Sequence, residues 1–138
     1  MAQINIKVKG IVKHQDKYLV VKQWYDDRIL DPYRWQFIDG HIEFAEDPAK
    51  AVVRLIKEQT GIDAVMDRTL YTWSFTLGDT FVVGICYECL ALHTETTLSE
   101  DFQDLAWIRE EEFYTYIDNK DMLHDLENSN FVRKGDIL

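Results

Sequence analysis

Between Gly40 and Ile62 the chain sets acids at intervals that could serve chemistry. Glu43 and Glu46 stand three residues apart, and Arg54, Glu58 and Gln59 follow. If this stretch is helical from Ala49, positions 55, 58 and 59 fall at i, i+3 and i+4 and share one face. That face carries Leu55, Glu58 and Gln59: one hydrocarbon, one carboxylate and one neutral amide. Gln59 offers a carbonyl oxygen, and Leu55 offers nothing. A second acidic pair, Glu100 and Asp101, lies in the acidic stretch from Glu95 to Asp104. Grouped carboxylates serve proton transfer and the binding of hard cations.

The surrounding pattern says how these residues are held. Asp47 is an N-cap, Pro48 suits the first helical position and Gly61 suits the position after the last turn. Ala49 to Thr60 contains no breaker, and Ala51, Val52, Leu55, Ile56 and Gln59 fall on one stripe. Upstream, Ile4, Ile6 and Val8 alternate with Asn5, Lys7 and Lys9, the pattern of a half-buried strand running toward Val12. Tyr18–Val21 follows a polar turn and completes a hairpin. Trp24 to Asp31 reads as a loop closed by Pro32, and Trp35–Ile38 as a short strand ending at the turn dipeptide Asp39-Gly40. Leu70–Thr76 and Phe81–Leu92 form a second hairpin about Leu77-Gly78-Asp79. A short strand at Leu105–Ile108 precedes short helices at Glu110–Ile117 and Met122–Glu127, and the tail from Ser129 to Leu138 carries no element signal. The whole reads as one mixed α and β domain over residues 1–138.

The stretch from Gly40 to Ile62 resembles the Nudix box: Gly, five residues, Glu, seven residues, then Arg-Glu-U-x-Glu-Glu-x-Gly-U with U aliphatic. Gly40, Glu46, Arg54, Ile56, Glu58, Gly61 and Ile62 match, seven of the nine fixed positions; Leu55 and Gln59 stand where the pattern has Glu. The opening hairpin from Val8 to Lys22, the strand Trp35-Gln36-Phe37 and the late acidic loop ending at Trp107 are similar to the family's as well. The resemblance implies an α/β/α sandwich around a mixed, curved sheet. It implies a hydrolase that cleaves a diphosphate bond in a nucleoside diphosphate derivative with Mg2+ or Mn2+. It puts the metal on Glu46, Glu58, Gln59 and Glu43, and the catalytic set at Glu58, Arg54 and Asp101, with Arg54 bracing the box glutamates.

Several departures bear on that expectation. Leu55 and Gln59 lower the formal charge of the site by two relative to the family pattern. Asp39 replaces a common glycine and Ile38 a proline, in the turn whose backbone carbonyl usually faces the metal. Glu58 therefore keeps two readings: a metal ligand, or the partner of Arg54 one turn earlier in an ion pair worth about 0.3–0.5 kcal/mol. Trp24, Tyr33 and Trp73, with Tyr25, are aromatics suited to stacking on a base, and His41 is placed to meet a phosphate. Leu55 also leaves a second function open: a nucleotide-binding or regulatory module that keeps the fold and has lost hydrolysis.

Composition narrows the partners. Fifteen basic residues against twenty-five acidic give a net charge of −10 with no basic cluster, which disfavours nucleic acid and anionic membrane surfaces. No run of some 18 apolar residues and no secretory signal is present, so the expected setting is cytoplasmic. Cys86 and Cys89 sit in a strand-like run three residues apart, hence on opposite faces, as two separate packing thiols. The expected partner is a small nucleotide derivative; oligomeric state is left open, with a homodimer the commonest soluble assembly.

Overall fold

The computed structural model describes residues 2–24, 35–129 and 131. Strand β1 (Gln3–His14) turns at Gln15–Asp16 into β2 (Lys17–Gln23). Two short strands, β3 (Trp35–Gln36) and β4 (Ile38–His41), lead to helix α1 (Pro48–Thr60). The long hairpin β5 (Ala64–Leu77) and β6 (Thr80–Ala91) follows, then β7 (Phe102–Arg109). A 3₁₀ turn (Glu110–Glu112) runs into α2 (Phe113–Tyr116), and α3 (Lys120–Asn128) ends the described fold.

Strand order is β3-β2-β1-β6-β5, with β4 added to β1 and β7 to β2. Strands β1 and β6 run parallel over eleven residue pairs while the other pairings are antiparallel, so the sheet is mixed. Strand β2 stays with β1 only at Lys13↔Tyr18 and His14↔Lys17, then departs to β3 and β7. Strand β4 takes its place beside Lys7–Gly10. This substitution delivers the residues ahead of α1 to the middle of the sheet.

Alternation along β1 divides the molecule into two cores. Val8 and Val12 face α1 and pack with Ile38, Val52, Leu55 and Ile56. Ile11 faces the other way, with Phe37, Cys86, Phe113, Ile117 and Leu126 beneath the C-terminal helices. The expected α/β/α sandwich is thus present. Cys89 belongs to the first core and Cys86 to the second, each thiol pushed up to about 12 by burial, as fits two inert packing groups.

Helix α1 forms where its signals stand. The Asp47 side chain accepts from Ala49 N–H, Pro48 opens the helix, and Gly61 ends it at φ 74° with its N–H on the Lys57 carbonyl. Four local expectations are corrected. Asp39 and Gly40 do not turn; they lie within β4, opposite Lys9 and Val8, because unpaired backbone in the sheet interior would be costly. The chain turns instead at Phe44–Ala45. Strand β5 begins at Ala64, six residues before the apolar run at Leu70, because its exposed first half still pairs with β6. The segment after β7 divides into a 3₁₀ turn and a four-residue helix rather than one helix. Finally, Lys9 does not face solvent. It is 5% exposed, because α3 covers the polar-looking face of β1.

Candidate active site

Helix α1 carries the centre of the site, and Arg54 organises it. Its Nε and Nη2 donate to Glu46 Oε2 and Oε1 at 2.8 and 2.9 Å, a planar fork on one carboxylate. Nη1 donates to Glu58 Oε2 and Oε1 at 3.1 and 3.3 Å, and Nη2 also reaches the His41 carbonyl at 3.2 Å. Glu43 comes within 4.0 Å of the same guanidinium. Glu46 Oε1 further accepts the Glu43 N–H at 3.0 Å, closing the loop between β4 and α1. The Arg54 hydrogen bonds, with help from Glu43 N–H, hold the Glu46 carboxyl at a pKa of about 2. The same contacts raise the Arg54 pKa. Glu58 at 57% and Glu43 at 72% side-chain exposure are the carboxylates of the cluster open to a ligand, while Glu46 is 17% exposed.

The other half of the helix face is closed. Leu55 is 7% exposed and sits against Gly40, where a Cβ would meet its Cδ2 at 2.8 Å. Gly40 thus serves the close approach of the Leu55 methyls rather than a turn. Gln59 Nε2 donates to the Asp39 carbonyl at 3.0 Å. Its Oε1 is buried without a hydrogen-bond partner among the described residues.

The late acidic loop is fastened to this end of α1. Thr97 N–H donates to the Thr60 carbonyl and Ser99 N–H to the Gln59 carbonyl, each at 2.8 Å, satisfying the last carbonyls of the helix. Ser99 Oγ donates to Asp101 Oδ2 and accepts the Asp101 N–H, both at 3.2 Å. The indole N–H of Trp24 donates to the Glu100 carbonyl at 2.8 Å, which ties the end of β2 to the same loop. The Gln59 main chain, Ser99, Asp101 and Trp24 are thus tied together by this loop, while the Glu58 side chain meets Arg54.

Other predicted residues fall elsewhere. The ring of Trp73 lies over Gly84 on the opposite face of the sheet, 4.4 Å from Lys9 Nζ. Together Lys9, Trp73, Phe75, Asn119, His124 and Asp125 border a cavity of about 380 Å3 between the β5–β6 hairpin and α3. Burial lowers the Lys9 pKa and raises that of Asp125. His41 is exposed and lines a groove with Ile4, Ile6, Ile42 and the fully exposed Phe44. Tyr33 and Tyr25 lie outside the described residues. Asp39 joins the two regions: its carbonyl meets Gln59, and its carboxylate is 3.9 Å from Lys7 Nζ. Lys9 is the residue that sequence reasoning missed. The sequence offers only a partial signal, Ile11 on the same face of β1; that α3 covers Lys9 depends on residues more than a hundred positions away.

These donors do not fit a resident divalent cation. Among the described residues no three His, Cys, Asp or Glu side chains gather as a metal site. Glu46 and Glu58 already share a guanidinium, Leu55 is hydrocarbon, and Gln59 directs a donor at the Asp39 carbonyl. Glu43 and Glu58, the exposed acids at the edge of this cluster, are fewer donors than Mg2+ takes without help from waters and substrate oxygens.

Comparison with known proteins gives the lineage. A family model described as NUDIX domain matches residues 5–128. The nucleoside triphosphatase NudI of Escherichia fergusonii is 25% identical over 118 residues, covering 77% of this chain and 82% of that protein. The MutT protein of Methanosarcina mazei Go1 superposes with a TM-score of 0.79 at 18% identity, covering 96% of this chain and 97% of that one. The ORF135 protein of E. coli superposes at 0.76 with 19% identity, covering 98% and 96%. The last two likenesses are of fold. Among the described residues no helix is long and apolar enough to cross a membrane.

Proposed function

We propose that this chain, which belongs to the NUDIX domain family, hydrolyses the diphosphate linkage of a nucleoside diphosphate derivative. In this reading Mg2+ or Mn2+ belongs to the substrate, as the ion that a polyphosphate carries in solution. Water adds to one phosphorus, the bridging P–O bond breaks, and the water's proton passes to a carboxylate. Glu58 and Asp101 are the acids offered for that proton, and Arg54 keeps Glu58 in place. The observation that carries the reading is the fastening of the late loop, which bears Asp101, to the end of α1, which bears Glu58, through Ser99 N–H on the Gln59 carbonyl. The nucleoside part is assigned to the cavity bordered by Lys9, β5 and α3, with the base against Trp73 and an acceptor oxygen toward Lys9. Its volume of about 380 Å3 falls within the range of small-molecule pockets. The NudI relative is named for nucleoside triphosphates, which contain the same linkage.

The second reading, a nucleotide-binding module without hydrolysis, is favoured by one observation: Leu55 is packed into the core where the box pattern has a glutamate. Product analysis on nucleoside triphosphates and nucleoside diphosphate derivatives, each supplied with Mg2+ and then Mn2+, separates the two. Hydrolysis reduced about 100-fold by Glu58→Gln, the size of a general acid–base contribution, supports the enzyme. Nucleotide binding with no product supports the module.

A further inference from the structure

In the family pattern, the faces of positions 55, 58 and 59 and the carbonyl at position 39 would be drawn together around a cation; in this chain they are drawn together differently. The Gln59 amide spans from α1 to β4 and donates to the Asp39 carbonyl at 3.0 Å. The amide orientation is dictated chemically, since the reverse would set two oxygens against each other. That choice leaves Gln59 Oε1 buried and without a partner among the described residues. The side chain thus keeps its N–H on Asp39 while its Oε1 meets no protein donor among the described residues. Leu55 closes the adjoining space against Gly40. Glu46 and Glu58, the remaining box acids, are held by Arg54. We propose that the Gln59 carboxamide replaces a divalent cation as the permanent link between α1 and β4, so that the site is assembled without metal.

A carboxylate at position 59 would behave oppositely. Its oxygen would stand about 3 Å from a carbonyl oxygen, tolerable only with a proton or a cation between them. The inference goes beyond the hydrolytic reading and is tested on nucleotide-free protein, so its failure is distinct from a failure to find turnover.

The experiment measures Mn2+ binding by electron paramagnetic resonance, and melting temperature in EDTA, Mg2+ and Mn2+, on the full chain. Wild type is expected to melt at the same temperature in all three and to bind no stoichiometric Mn2+. Gln59→Glu is expected to melt lower in EDTA and to recover in Mn2+, and Leu55→Glu with Gln59→Glu to bind Mn2+ stoichiometrically. Gln59→Ala is expected to melt lower to the same extent with and without metal. Stoichiometric Mn2+ on wild type that disappears in Glu58→Gln overturns the proposal. A Gln59→Glu protein as stable as wild type in EDTA overturns it equally, and this single variant decides the matter should the double one fail to fold.

Discussion

Arg54 meets three glutamates and one carbonyl, and its strongest partner is Glu46. The sequence showed both residues at the right interval but could not say which acid the guanidinium would take, since Glu43, Glu46 and Glu58 all stand within reach of it. Geometry decides: Glu46 approaches along the fork, while Glu58 meets only Nη1. The consequence is a pH signature. Glu46 titrates at about 2 in the fold against an ordinary 4.5, so its stabilising share is complete above pH 4.5 and lost as pH falls through about 2. The melting-temperature gap between wild type and Glu46→Gln should be widest above pH 4.5 and close toward pH 2. A gap that stays constant across that range would mean that the fork does not set this carboxyl. Leu55 and Gln59 were legible as departures from a pattern. What Gln59 does with its amide was not, because its partner lies twenty residues away on strand β4.

At the level of elements, α1 was the most legible part, since cap, first-turn proline and terminal glycine all act within a few residues. In the strand before it, Asp-Gly is a strong local turn signal, yet pairing with β1 overrides it. The turn displaced to Phe44–Ala45 leaves Ala45 at φ 63°, a conformation that suits glycine. Left-handed strain of roughly 1–2 kcal/mol exceeds the ~0.4–1 kcal/mol that a glycine adds to unfolded-chain entropy. Ala45→Gly should therefore stabilise the protein by about 0.5–1 kcal/mol in chemical denaturation. A loss of stability would show that the loop gains something from the alanine methyl.

On the scale of the whole molecule, the two faces of the sheet carry different chemistries that meet at Asp39, whose carbonyl accepts from Gln59 and whose carboxylate lies 3.9 Å from Lys7 Nζ. The α1 face carries the acids and the Arg54 cluster, and the α3 face carries Lys9 and its aromatic walls. Alternation along β1 predicted that Lys7 and Lys9 would face together. It could not predict that α3 would bury Lys9, because that depends on contacts across more than a hundred residues. With a net charge of −10, a buried cation in a cavity is a local exception to the surface field, suited to a substrate oxygen. Lys9→Met keeps the volume and removes the charge. It should raise KM for the nucleotide about tenfold, the loss of one charge-assisted hydrogen bond, with kcat nearly unchanged. Equal KM values would place the nucleoside elsewhere. The central expectation is hydrolysis by the chain as it stands, despite Leu55 and Gln59. Chromatographic product analysis of the parent and of Leu55→Glu with Gln59→Glu, side by side on Mg2+ and Mn2+ nucleotides, tests this most directly. Product from the parent that requires Glu58 is the predicted result; product from the double variant alone would contradict it.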